Sequence, residues 1–304
     1  MKLRASFGTL RFIDGKPIPG MRTAYFMLDG GCVFDCSYCT HARSSSSRSD
    51  FLSRITWKEI DLETALKIAK VETVKRVCIQ TVSYPGYRED LLRIIEILRF
   101  KPVSVSVRAV SPSEVDLYFE AGADTVGIPI DAVNEDLFRI HRGGSLKRHL
   151  KVIEESSKRH PGRITTHMIV GLGETEKDIV ELMDLMKSWN VTIALFAFTP
   201  LRGTKMENHP KPDLDSYRRI QIARYLIEKG ISRFENFKFD DDGRITDFGV
   251  DLSKIDYKKA FLTSGCRDCT RPYYNERPGD VLYNVHDEAL LEDIASFNVS
   301  TTTF

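Results

Sequence analysis

The chain has 304 residues, 42% hydrophobic and 29% charged, enough apolar material for one large domain or a domain with an appendage. A formal net charge of +1 gives no electrostatic case for nucleic-acid binding. No apolar run approaches membrane-spanning length and the first residues carry no apolar signal segment, so a cytoplasmic protein without membrane contact is expected.

In chain order, residues 1–22 read as an N-terminal extension. A first strand is expected over Thr23–Leu28, and Cys32, Cys36 and Cys39 follow it in a C-x3-C-x2-C run. Arg43–Arg48, with four consecutive serines, reads as a mobile, solvated loop. A helix is expected over Trp57–Val71, then a strand over Arg76–Thr81 that contains Cys78. Helices Asp90–Arg99 and Pro112–Ala121 flank a strand over Val103–Val107. Strand Thr125–Ile130 leads to Asp131 and to helix Leu146–Arg159. Strand Ile164–Val170, helix Glu174–Trp189, strand Thr192–Phe198 and helix Leu214–Lys229 complete the series, with Phe234–Phe239 a weaker seventh strand. Pro112, Glu174 and Pro212 or Asp213 are helix start signals, and Gly230 is a stop. Repeated βα units imply a parallel sheet, fully or partly closed into a TIM-type α/β barrel, with its chemistry at the C-terminal strand ends. The barrel is assigned to residues 23–239 and a C-terminal extension to 240–304.

Six cysteines in a chain of this kind favour metal or redox chemistry over disulfides. Three thiolates as close as Cys32, Cys36 and Cys39 can hold three irons of a 4Fe-4S cube and leave the fourth iron open to a small chelating molecule. The bland alternative is structural zinc. Zinc sites usually read as two C-x2-C pairs, whereas the first spacing here is three and His41 lies too near Cys39 to act easily as an independent corner. In the tail, Cys266 and Cys269 form a C-x2-C pair that by itself fits zinc, a redox dithiol or a cluster. Cys78 is the one remaining thiol; a lone strand cysteine is normally a small buried hydrophobe.

The C-x3-C-x2-C run, with Tyr38 just before its last cysteine, resembles the signature of the radical S-adenosylmethionine (SAM) enzymes. That resemblance implies a 4Fe-4S cluster on Cys32, Cys36 and Cys39 that binds SAM and cleaves it to a 5'-deoxyadenosyl radical. Over residues 23–229 the chain resembles biotin synthase, in Cys78 and the loop after it, Asp131, the segment Ser145–Leu150, the glycines from Gly171 and the stretch Phe198–Thr204. Biotin synthases carry a second, sulfur-donating cluster inside the barrel, and Cys78 falls where that family has one of its ligands. Two other ligand positions of that family read Ser104 and Thr165 here, and the strand that would carry substrate-binding asparagines reads Gly127–Asp131. The tail from Ser264 to Gly279 resembles archaeal two-component lipoyl synthase proteins, in which two related radical SAM proteins divide the work.

These resemblances imply that Cys78, Cys266 and Cys269 hold a second iron–sulfur cluster of 4Fe-4S type. Its fourth ligand stays open between a hydroxyl, a histidine and none. They imply SAM contacts from Tyr38, Gln80, Thr81, Ser83, Asp131, Arg148, Ile169 and Gly171. Each has a bland counterpart: strand-end polarity for Gln80, Thr81 and Ser83, a solvated helix arginine for Arg148, a helix cap for Asp131, barrel packing for Tyr38 and Ile169, a tight turn for Gly171. Strand alternation puts Ser104, Ser106 and Arg108 on one face of their strand and Thr165, His167 and Ile169 on one face of theirs, so that His167 faces inward if Ile169 does. Arg271, Tyr273, Tyr274, Asn275 and Arg277 are candidates for fixing the tail over the barrel mouth, against a turn that merely packs. The expected activity is sulfur insertion at an unactivated carbon of an octanoyl chain by a lipoyl synthase-like sulfurtransferase. Expected partners are an octanoylated or mercaptooctanoylated lipoyl-carrier protein and a low-potential electron donor such as ferredoxin, with room for a paralogous radical SAM protein. The rivals are a biotin synthase acting on dethiobiotin and a non-catalytic iron–sulfur electron carrier.

Overall fold

The computed structural model describes residues 1–292. The last dozen residues of the expected C-terminal extension, 293–304, lie outside the described residues. The chain opens with β1 (Lys2–Ser6), the one-turn helix α1 (Phe7–Leu10) and β2 (Thr23–Asp29). A hairpin of β3 (Phe51–Leu52) and β4 (Ile55–Ile60) precedes α2 (Leu62–Lys70), β5 (Arg76–Thr81) and α3 (Tyr87–Leu98). Then come β6 (Val103–Ser106), α4 (Pro112–Glu120), β7 (Thr125–Gly127), α5 (Glu135–His141) and α6 (Leu146–Arg159). β8 (Ile164–Val170), α7 (Glu176–Ser188), β9 (Thr192–Ala197) and α8 (Leu214–Glu228) complete the barrel region.

The strands form one nine-stranded sheet in the order β3-β4-β1-β2-β5-β6-β7-β8-β9. From β2 to β9 every pairing is parallel, whereas β1 runs antiparallel to both β2 and β4. This is a partial TIM-type barrel of six parallel strands with an antiparallel flank. The inner face is set by the period of two along each strand. Tyr25 and Met27 of β2, Cys78 and Gln80 of β5, and Thr165, His167 and Ile169 of β8 line one central cavity. Their alternates Phe26, Leu28, Val77, Ile79, Met168 and Val170 are buried in the main apolar core.

Three expectations are corrected. Trp57 is not helical: it sits in β4 opposite Ser6 of β1, fully buried, and the helix starts only after Asp61 caps Thr64. The alternation of Ile55, Trp57 and the polar residues between them fits a strand with one buried face better than a helix. Residues 1–22 are therefore partly built into the sheet. Phe234–Phe239 is no barrel strand. It is a 3-10 turn, Phe234–Asn236, followed by β10 (Lys238–Phe239), which pairs only with β11 (Ile245–Asp247) in a separate ribbon. The serine loop is tethered. Ser46 N and Ser45 Oγ donate to the Gly203 carbonyl, at 3.0 and 3.1 Å, and Ser47 Oγ to Arg202 O. Gly203 makes that approach feasible: its φ is +85°, and a Cβ there would lie 2.6 Å from Ser47 N.

The tail closes the open side of the barrel. Ser264 Oγ accepts the β9 amide of Leu195 at 3.0 Å, and Asn275 Nδ2 donates to Ala197 O at 2.5 Å, so unpaired groups of the edge strand find partners. On the other side Thr23 Oγ1 donates to Asp268 O, and the Tyr25 hydroxyl accepts the amides of Thr270 and Arg271 at 3.0 and 2.9 Å. Among the described residues no helix is long and apolar enough to cross a membrane.

Candidate active site

All six cysteines line the same cavity, which encloses about 1560 Å³ of space with its open mouth included. The first three sit in the loop after β2. That loop is pinned by backbone bonds: Val33 N to Ser83 O, Ser37 N to His141 O and Arg43 N to Phe34 O, each at 2.8 or 2.9 Å. A turn in which Cys39 N donates to Cys36 O at 3.1 Å brings two of the thiols round to the same side. Burial pushes the Cys36 thiol up and takes Cys39 to about 12, with the neighbouring thiols adding to the latter.

Around this triad lies a charged network. Tyr38 Oη donates to Asp131 Oδ2 at 2.5 Å, and Arg142 pairs with the same carboxylate oxygen. Both ends of the Arg142–Asp131 pair are nearly solvent-free. Asp131 has φ +61°, a left-handed conformation that costs a residue with a Cβ about 1 kcal/mol or more. The two partners on its carboxylate hold it there. β7 ends early, at Gly127, because Pro129 has no N–H to add to the ladder. Ile130 and Asp131 nevertheless still donate to His167 O.

The second set is assembled from distant parts of the chain. Cys78 comes from β5, Cys266 and Cys269 from the tail. Cys266 and Cys269 are hydrogen-bonded to one another, and Cys78 is close enough to interact electrostatically with both. Burial takes Cys78 to about 12, and the proximity of Cys269 adds to this. The bond from Cys266 holds Cys269 below an ordinary thiol and drives Cys266 up. Gln80 Nε2 donates to Cys78 Sγ at 3.1 Å, Tyr25 Oη lies 3.8 Å from Cys269 Sγ, and Ser104 hydrogen-bonds Cys266. Arg271 is buried over the Phe196 ring, 3.9 Å from its centroid, and donates to Ser264 O at 2.6 Å.

Of the residues expected to contact SAM, Tyr38, Gln80, Thr81, Ser83, Asp131 and Ile169 line the cavity. Arg148 and Gly171 do not. Arg148 is exposed on the first turn of α6, with its amide bonded to Ser145 Oγ. Gly171 lies behind the wall, where a Cβ would meet Pro212 at 2.9 Å. The arginines at the cavity are Arg108, Arg142 and Arg271. Arg142 belongs to α5 and its cap, an element missed in the sequence although Asn134 caps it in the usual way. His167 also faces inward, held neutral at about 4 by burial. Glu174 starts no helix. Its carboxylate accepts Gly171 N and Leu172 N, and Thr175 caps α7 through a reciprocal bond with Asp178.

The sequence model of the Radical SAM superfamily matches residues 29–186, just over half of the chain and the stretch that holds the first cysteine triad. The chain belongs to the radical SAM superfamily. It is similar to an uncharacterized protein of Methanocaldococcus jannaschii, 29% identical over 202 residues, covering 63% of this chain and 52% of that protein. A biotin synthase of Persephonella marina is 27% identical over 189 residues, 60% of this chain and 55% of that one. The chain thus spans about half the length of these curated relatives. The solved structure of methylornithine synthase shares the fold, with a TM-score of 0.55 at 14% identity over 73% of this chain and 66% of that one.

A radical SAM protein uses a SAM-binding 4Fe-4S cluster, and the residues present fit one. Three soft thiols share one wall, and four buried polar atoms among the cavity-lining residues, Thr81 Oγ1, His41 Nε2, Arg142 Nε and Arg271 Nε, have no protein partner. Unpaired buried polar atoms are costly unless something binds them. Among the described residues no three His, Cys, Asp or Glu side chains close around one ion-sized point. A cluster spreads its thiolates over separate irons, whereas zinc gathers four ligands on one centre.

Proposed function

We propose that this radical SAM enzyme is a sulfurtransferase that inserts sulfur at an unactivated carbon of a protein-bound octanoyl chain, in the manner of a lipoyl synthase component. The observation that carries the reading is that Cys32, Cys36 and Cys39 open into the same cavity as Cys78, Cys266 and Cys269. A substrate between them can meet a hydrogen-abstracting radical from one side and a sulfur source from the other. When bound, SAM on the first cluster supplies the 5'-deoxyadenosyl radical and a second iron–sulfur cluster supplies sulfide.

The chain's own residues do the rest. Tyr38, Asp131 and Arg142 form a rigid polar wall beside the first triad. Met27, Val107, Phe196 and Tyr274 give the cavity apolar walls that keep water from a reactive carbon. Gln80 and Tyr25 orient Cys78 and Cys269. An acyl chain needs no polar recognition along its length, which suits this lining.

The test is reconstituted protein with SAM and a reductant, given an octanoylated carrier peptide with and without a paralogous radical SAM partner. A mass gain of sulfur on the peptide supports the reading, and an unchanged peptide in both arms overturns it. The likeness to biotin synthase favours dethiobiotin as the alternative substrate, and the same assay with dethiobiotin separates the two.

A further inference from the structure

We propose that Arg108 raises the reduction potential of the cluster held by Cys32, Cys36 and Cys39, by placing an unneutralised positive charge against the Cys36 sulfur. Arg108 lies just past the end of β6, on the inner face of the barrel. Its Nη1 is 3.8 Å from Cys36 Sγ and also donates to Arg142 O at 3.0 Å. Its Nη2 donates to Gly143 O at 2.7 Å, and the guanidinium lies 3.8 Å above the Phe34 ring. Two carbonyls and an aromatic face therefore fix the group in one orientation, with one edge on the cysteine.

The neighbouring arginine makes the contrast. Arg142 is also buried near Cys36, but Asp131 neutralises it. Among the described residues no carboxylate pairs with Arg108; its bonds run to carbonyls and a sulfur. One-electron reduction adds negative charge to an iron–sulfur centre, and hydrogen bonds and net charge at its sulfurs set its potential. A fixed, half-buried cation at this distance stabilises the reduced form more than a solvated one could. Arg108 is thus a positioning and tuning group beside Cys36. The inference needs only the SAM-binding cluster of the family, so its failure and that of the sulfur-transfer reading are distinguishable.

The experiment is an EPR-monitored redox titration of the reconstituted protein without SAM, with iron content measured alongside. Arg108→Gln keeps the iron of the first site and shifts its reduction equilibrium about tenfold away from the reduced form, about 59 mV for one electron. Arg108→Lys stays close to wild type, because the charge remains. Phe34→Leu removes the platform but not the charge. It gives a smaller shift in the same direction and serves as the readout if Arg108→Gln loads no iron. Unchanged potentials in Arg108→Gln and Phe34→Leu overturn the proposal. An unchanged potential together with weakened SAM binding, measured in a separate equilibrium titration, also overturns it, making Arg108 a ligand contact instead.

Discussion

The two cysteine sets face the same space but are built in opposite ways. Cys32, Cys36 and Cys39 lie within eight residues on one loop, and local turns orient two of them. Cys78 and the Cys266–Cys269 pair are separated by most of the chain and meet only because the tail bridges β9 and β2. A site built from local sequence survives damage elsewhere. One built from tertiary contacts is only as stable as the docking that forms it.

The largest effect that sharpens this contrast comes from removing ligands. Cys36→Ala abolishes deoxyadenosine release altogether. The double change Cys266→Ala/Cys269→Ala leaves reductive SAM cleavage in place, abolishes sulfur transfer and lowers iron from about eight to about four per chain. Mössbauer spectroscopy and product analysis on the two proteins check this. Four irons in wild type and double variant alike would reduce the tail pair to a structural role and end the sulfurtransferase reading.

A smaller change tests the docking itself. Tyr25→Phe deletes the acceptor for two buried amides, those of Thr270 and Arg271, and the contact with Cys269. Stranded buried donors cost about 1–3 kcal/mol. The variant melts lower and loses iron from the tail site while the spectrum of the first site stays the same. Equal loss from both sites would mean that they are not independently built.

The same contrast explains what was legible in the sequence. The C-x3-C-x2-C run announces its site because spacing along the chain is the geometry. Six of the seven expected strands appear within a few residues of where periodicity put them, because their inner and outer faces differ chemically. Arg142 was hidden because α5 is short and its importance lies in a partner, Asp131, on another loop. Arg148 matched by segment alone, and its exposure on α6 is a tertiary fact. Arg108 shared a face with Ser104 and Ser106 in the alternation pattern, but the carbonyls and the thiol that give it a role come from segments distant in sequence. The β4 strand around Trp57 was read as helix because its partner β1 lay in a stretch assigned no structure.

The smallest expected effect concerns pH and applies to one set only. Glu276 follows the tail cysteines by a few residues and is buried. Its Oε1 accepts Tyr283 N at 3.2 Å and its Oε2 has no partner. Burial pushes its carboxyl up to about 7, against which the nearby backbone amides pull only partly. In the unfolded chain a glutamate titrates near the ordinary value of about 4.3. Between those values the folded tail holds a proton that the unfolded chain has lost, so stability declines as pH rises toward 7 and then levels off. Glu276→Gln removes the ionisation. It raises the melting temperature at pH 8 and raises it less at pH 5, where the unfolded glutamate has mostly ionised but the folded one has not. Thermal unfolding at the two pH values checks it, and a gain of equal size at both would show that packing, not charge, governs this position. Among the described residues no hydrogen bond or ion pair joins Glu276 to the loop that carries Cys32, Cys36 and Cys39, and that loop should not respond.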